Sequence, residues 1–145
     1  MEKQTINVED FFTEDHEAEG IWFEPKIKGS PCGIEFQVTG TGTDKNVAIR
    51  EHYEKEEAKL NEIKDPIEKV RKQKILDAEL VSEFVIGIRP AEGREILFEG
   101  KPIEFSKPFI QKLFEKAPLL KVEVIRFARD TTNFIKREKS DSKKQ

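Results

Sequence analysis

The sequence predicts a single α+β domain, and three observations carry that expectation. Ile34, Phe36 and Val38 alternate with Glu35, Gln37 and Thr39, the period-2 pattern of a half-buried strand. Two long charged stretches between Lys45 and Ile88 hold sparse apolar residues at helical spacing. Glycine and proline punctuate the chain at residues 29–31, 40–42, 89–93 and 100–102, bounding short β-rich runs. In 145 residues two full cores do not fit. Hydrophobic residues are 36% of the chain and charged residues 38%, against about 45–50% and about 25% in ordinary domains, so the core is small. The expected organisation is an acidic arm over 1–20, one domain over 21–136, and a charged, disordered tail over 137–145.

Each element follows from local signals. The arm carries seven acids against one lysine, with an apolar cluster of Val8, Phe11 and Phe12 expected to touch the domain or a partner. IWFEPKIKG and PCGIEFQVTG predict a β-hairpin turned by Gly29 and Pro31, with Pro25 placing the first strand at an edge. Thr43 is a good N-cap for a helix over 45–64, whose narrow apolar stripe is Val47, Ala48, Ile49, Tyr53, Leu60 and Ile63. Asp65-Pro66-Ile67-Glu68 then opens a second helix, because a mid-helix proline costs about 3 kcal/mol whereas one in the first turn is tolerated. Apolar spacing through Ile75, Leu76, Ala78, Val81, Phe84, Val85 and Ile88 extends this helix to about Ile88. EILFEGKPIEF predicts a second hairpin, Ile96–Phe98 with Ile103–Phe105. Ser106 caps a short helix with Phe109, Ile110, Leu113 and Phe114 on one face, and Phe105 is placed to staple onto Ile110. Ala117-Pro118 opens a last helix carrying Leu120, Val124, Phe127, Ala128, Phe134 and Ile135.

Catalytic chemistry finds no constellation. Cys32 has no neighbouring base, and the two histidines, His16 and His52, lie in the arm and in a charged helix. One cysteine excludes an internal disulfide. Asp15-His16-Glu17 supplies adjacent ligand types without the spacing of a metal site. Gly40-Thr41-Gly42-Thr43-Asp44-Lys45 lacks phosphate-loop spacing and reads as a strand end with an N-cap. Glu56-Glu57 and Asp77 with Glu79 read as solvated carboxylates. Lys69, Arg71, Lys72 and Lys74, and the five basic residues of 136–144, form basic clusters, but a net charge of -3 and absent aromatic interleaving disfavour nucleic acid. The chain lacks an apolar segment approaching the ~20 residues that span a bilayer, and no leader pattern is present. No cofactor or metal is expected, and the protein is expected not to be an enzyme.

The order of features then points to a family. Trp22 and GIEFQV are followed by charged and apolar helices, by G-K-P-I-E-F-S over Gly100–Ser106, and by A-R-D-T-T-N-F over Ala128–Phe134. This resembles the tail assembly chaperones of long-tailed bacteriophages, over roughly residues 20–136. The resemblance implies a non-catalytic protein of the host cell cytoplasm that coats the tape measure protein, helps recruit the tail tube protein, and is absent from the finished virion. Members often exist also as a longer frameshifted form. A structural tail or head-completion protein and a nucleic-acid-associated regulator are the alternatives. The partner-binding residues expected for client contact or self-association are Phe109, Leu113, Phe114, Leu120, Val124, Phe127 and Phe134, together with the stripe over 47–63. If these are partner contacts, substitution of Phe109, Phe114 and Phe127 abolishes client co-purification; if they are core, it unfolds the domain.

Overall fold

The computed structural model describes residues 3–135; the tail expected over 137–145 lies outside the described residues. A 3-10 turn at Val8–Phe11 and a short helix α1 (Glu14–Glu19) form the arm. Strands β1 (Ile21–Phe23), β2 (Lys26–Ile27), β3 (Ser30–Pro31) and β4 (Ile34–Val38) follow. Helices α2 (Asp44–Leu60) and α3 (Pro66–Ser82) lead into β5 (Val85–Pro90). A small hairpin of β6 (Leu97–Phe98) and β7 (Lys101–Pro102) precedes helices α4 (Lys107–Lys116) and α5 (Pro118–Arg129), and a 3-10 turn at Thr131–Phe134 closes the described chain. The architecture is α+β, as the sequence predicts.

The sheet is antiparallel in the order β1-β4-β5. Alternation along β4 sends Phe36 and Val38 inward, both fully buried, while Glu35 and Gln37 face the other side with Trp22 and Arg89. Helices α3, α4 and α5 cover the inner face, and the core gathers Phe36, Val38, Ala78, Val81, Val85, Ile110, Phe114, Leu120, Val124 and Ala128. Phe36 and Phe114 meet at a ring separation of 5.7 Å. On the outer face the Arg89 guanidinium lies 3.9 Å from the Trp22 ring centre and pairs with Glu35 across the sheet.

Local chemistry accounts for the element ends. The Thr43 side chain accepts from Asn46 N–H, Asp65 from Ile67 N–H, and Ser106 from Phe109 N–H. Glu68 takes no part in a capping box and pairs instead with Lys72 at 3.0 Å. Both tight hairpins turn on two residues with positive φ, Lys28-Gly29 and Glu99-Gly100, the backbone of a type I′ turn. The first turn therefore rests on Lys28-Gly29 rather than on Gly29 with Pro31.

Three further sequence expectations are corrected. The second charged helix ends at Ser82, not near Ile88, and Val85–Pro90 is the third strand of the sheet. The terminator comes from far along the chain: Lys107 Nζ donates to the carbonyls of Ser82, Glu83 and Val85 at 2.9, 3.1 and 2.7 Å. Burial pushes this ammonium below the usual lysine range, with Glu83 opposing the shift. The second hairpin is shorter than expected, and residues 103–105 are not strand; Phe105 remains 40% exposed while Ile110 is buried. The last helix stops at Arg129, where Asp130 accepts from Thr132 N–H and starts the 3-10 turn.

Candidate functional site

Most of the residues expected to meet a partner lie in the core. Phe114, Leu120, Val124 and Phe134 are buried, and none of the four presents a surface that another protein could reach in this conformation. Phe109 and Leu113 pack half-buried against the core, Phe109 edge-on to Phe98 at 5.4 Å. Phe127 stacks on Phe23 at 4.2 Å and meets Phe134 edge-on at 5.7 Å. The physical reason is that α4 and α5 each have one wide apolar face, and the sheet supplies the surface that covers it. Phe114, Leu120, Val124 and Phe134 are thus packing residues, while Phe109, Leu113 and Phe127 pack on the core and keep part of their surface exposed. The residues over 128–134 are likewise structural: Ala128 O accepts from Thr41 N–H at 3.2 Å, and Asn133 donates to Phe127 O at 3.0 Å, closing the end of α5.

Uncovered apolar surface lies elsewhere, on α3. Successive positions on one helix face are three or four residues apart. Back from the buried Ala78, Val81 and Ser82, this broad face carries Ile75, then the charged Lys74 and Arg71, and near the helix start Val70 and Ile67. There the domain no longer covers it, and Ile67, Val70 and Ile75 are 63%, 52% and 45% exposed. Apolar side chains on this face thus begin in the core and reappear in solvent as an Ile67–Val70 pair in the first turns of a 17-residue helix. Arg71 and Lys74 separate that pair from Ile75 on the same face, and Lys72 lies beside it. Farther along the helix pair, Tyr53 of α2 is buried beside the C-terminal half of α3, and burial together with the Glu79 carboxylate holds its hydroxyl far above the usual phenol range. The stripe expected over 47–63 is used in this way, with Tyr53 turned into the molecule while Ala48 faces solvent. A second, smaller patch is the outer side of α5, where Leu119 (67% exposed) and Val122 lie on the same face as Arg126 and Arg129.

Sequence reasoning missed this half of α3 because its apolar row was read only from Ile75 onward, leaving Ile67 and Val70 out. It also missed Asn46, which is 3% exposed and donates to Thr39 Oγ1 and Gly40 O at 2.9 and 2.7 Å. The glycine-threonine segment is a joint rather than an anion site. Thr39 N–H donates to Phe84 O, Gly40 N–H to Glu17 O, and Thr41 N–H to Ala128 O, so three consecutive amides tie β4 to the start of β5, to α1 and to α5.

The residues weighed for chemistry are dispersed. Cys32 is half-buried with its thiol 3.5 Å from Ile34 O, and desolvation raises it above its ordinary value, away from the reactive thiolate. Among the described residues no three His, Cys, Asp or Glu side chains converge as metal ligands. No described helix is long and apolar enough to cross a membrane. Comparison with known proteins gives no match: no family model, no curated protein and no solved structure aligns with this chain.

Proposed function

We propose that this chain is a non-enzymatic binding protein of the phage tail assembly chaperone kind, gripping the tape measure protein and helping to recruit tail tube subunits in the host cell cytoplasm. The observation that carries the reading is the exposed half of the α3 stripe. Large apolar side chains exposed on a helix cost solubility unless another surface covers them, and uncovered apolar patches mark interaction sites. A helical client offers a matching ridge, because two helices bury their stripes by fitting side chains of one between those of the other. The many charges around the stripe keep an assembly of such complexes in solution. Weak single contacts suffice, since many copies along one long client act together. The motifs at Gly100–Ser106 and Ala128–Phe134 support the family reading as capping and packing signatures rather than as chemistry.

The experiment follows the chain through assembly. Affinity purification from cells making phage tails is expected to recover it with the tape measure protein, while mass spectrometry of finished particles finds none. Stoichiometric copies in the purified particle would contradict the chaperone reading and give the chain a structural place in the virion.

A further inference from the structure

The outer side of α5 carries a row of side chains that the domain leaves open. Leu119, Val122, Arg126 and Arg129 recur at spacings of three and four residues, along one face of the helix. All four are exposed, whereas Leu120, Val124 and Ala128 on the other side of the helix are buried. The row is apolar at its start and basic at its end. Along it a shallow hollow of about 370 Å³ is lined by Val122, Ile125, Arg126, Arg129 and Asp130. Glu123 pairs with Arg126 at 2.9 Å, and the Asp130 carboxylate is taken up by Thr132. Arg129 forms no ion pair among the described residues.

The same chain holds a segment of complementary character. Glu9-Asp10-Phe11-Phe12 joins two acids to two rings that are 63% and 61% exposed. The arm is fixed at its far end, where Gly40 N–H donates to Glu17 O at 3.0 Å and α1 packs on the 3-10 turn at Thr131–Phe134. Anchored there, it holds the two rings out from the core. Arginine is well suited to such rings, because its planar guanidinium stacks on an aromatic face, as Arg89 does 3.9 Å from the Trp22 ring centre. Charge also selects the occupant. The segment over 136–144, with five basic residues, has the same sign as Arg126 and Arg129 and is repelled by them, whereas the arm has seven acids against one lysine.

We infer that the arm of a second copy of this chain docks on the outer face of α5, its rings on Leu119 and Val122 and its acids toward Arg126 and Arg129. Two-fold symmetry makes the contact reciprocal, each copy lending its arm and receiving the other's. Two contacts then form in one association step and reinforce each other. Salt weakens the dimer, because exposed charges are screened. The inference does not rest on the client reading: its face is α5 rather than α3, and its partner is the chain itself.

Sedimentation equilibrium of the full chain reads the dimer directly. The unaltered chain is expected to dimerise, with affinity falling about tenfold as salt rises from about 0.05 M to about 0.5 M. Phe11→Ser with Phe12→Ser removes the rings, and Leu119→Asp with Val122→Asp removes their seat. All four positions are exposed, and each pair of changes is expected to weaken the dimer about tenfold or more. Mixing the two variants sets one intact arm opposite one intact α5, and the mixture is expected to associate about tenfold more tightly than either variant alone. Arg126→Gln with Arg129→Gln, which leaves the apolar positions untouched, is expected to remove most of the salt dependence and keeps the test sound if the aspartates disturb α5. Ile67→Asp with Val70→Asp is expected to leave the dimer unchanged. A monomer at every concentration would overturn the proposal and leave the α5 face to the chain's own arm or to another protein. So would a mixture no tighter than its components, an arginine variant with unaltered salt dependence, or loss of the dimer on the α3 change alone.

Discussion

Phe114→Ala is expected to destabilise the domain by about 3–5 kcal/mol, read as a lowered urea midpoint at unchanged slope. Phe114 is 1% exposed and faces Phe36, also fully buried, across the α4–sheet interface. Removing the ring deletes its transfer energy and leaves a cavity that a rigid strand and two helices close only in part. Against a total of about 5–15 kcal/mol, the loss takes a large share of the stability of so small a core. The same change at an uncovered position such as Leu119, 67% exposed, is expected to cost less than about 0.5 kcal/mol. A Phe114→Ala protein of near-normal stability that failed to bind a partner would instead return this residue to the partner-contact role expected from the sequence.

Asn46→Ala is expected to cost about 2–4 kcal/mol, more than its place in the first turn of a charged helix suggests. Its amide makes two buried hydrogen bonds, to Thr39 Oγ1 and Gly40 O. Alanine removes both and leaves the Gly40 carbonyl buried without that donor, and an unsatisfied buried group costs more than the bond itself was worth. Thr39 Oγ1 in turn donates to Phe84 O at 3.0 Å, so the loss passes along a chain of bonds into β5. Native-state hydrogen exchange should therefore quicken at the amides of Thr39, Gly40 and Thr41, the three that tie the joint. A cost below about 1 kcal/mol, with those amides still protected, would mean that the joint is held by packing alone.

The parts of this fold that were legible in the sequence are those whose causes are local. Thr43, Asp65-Pro66, Ser106 and Pro118 mark helix starts through the side chain that accepts the first free amides or through a proline that fits the first turn. The strand Ile34–Val38 announces itself by alternation. The end of α3 was not legible, because nothing near Ser82 stops a helix and Val81, Phe84, Val85 and Ile88 continue a helical period. The stop is Lys107, some 25 residues on, holding the carbonyls of Ser82, Glu83 and Val85. The β-branched run Val85, Ile86 and Ile88 around Gly87 was the available sign of a strand. Ile86 itself is the extra residue where the β4–β5 register shifts, since Gln37 faces Gly87 while Val38 faces Val85. At the C-terminal end Asp130 breaks the period that Phe134 and Ile135 continue.

The candidate site was the least legible part, for a geometric reason. Periodicity says that a residue is apolar on one face, and it is silent on whether that face meets the domain's own sheet or runs past it. Phe114 and Val124 look the same in sequence as Ile67 and Val70. Only the cover distinguishes them: Ala78 belongs to the core, and Ile67 and Val70 lie outside it.

The measurement that bears most directly on the account is client capture by the variant Ile67→Asp with Val70→Asp. Both side chains are exposed by more than half, and aspartate in the first turns of a helix is favoured by the helix dipole, so the fold is expected to survive intact. Co-expressed with a tagged tape measure protein, the variant is expected to fall in recovery by about tenfold or more relative to the unaltered chain, with its urea midpoint unmoved. Full recovery of a folded variant would contradict the claim that the uncovered stripe of α3 grips another polypeptide.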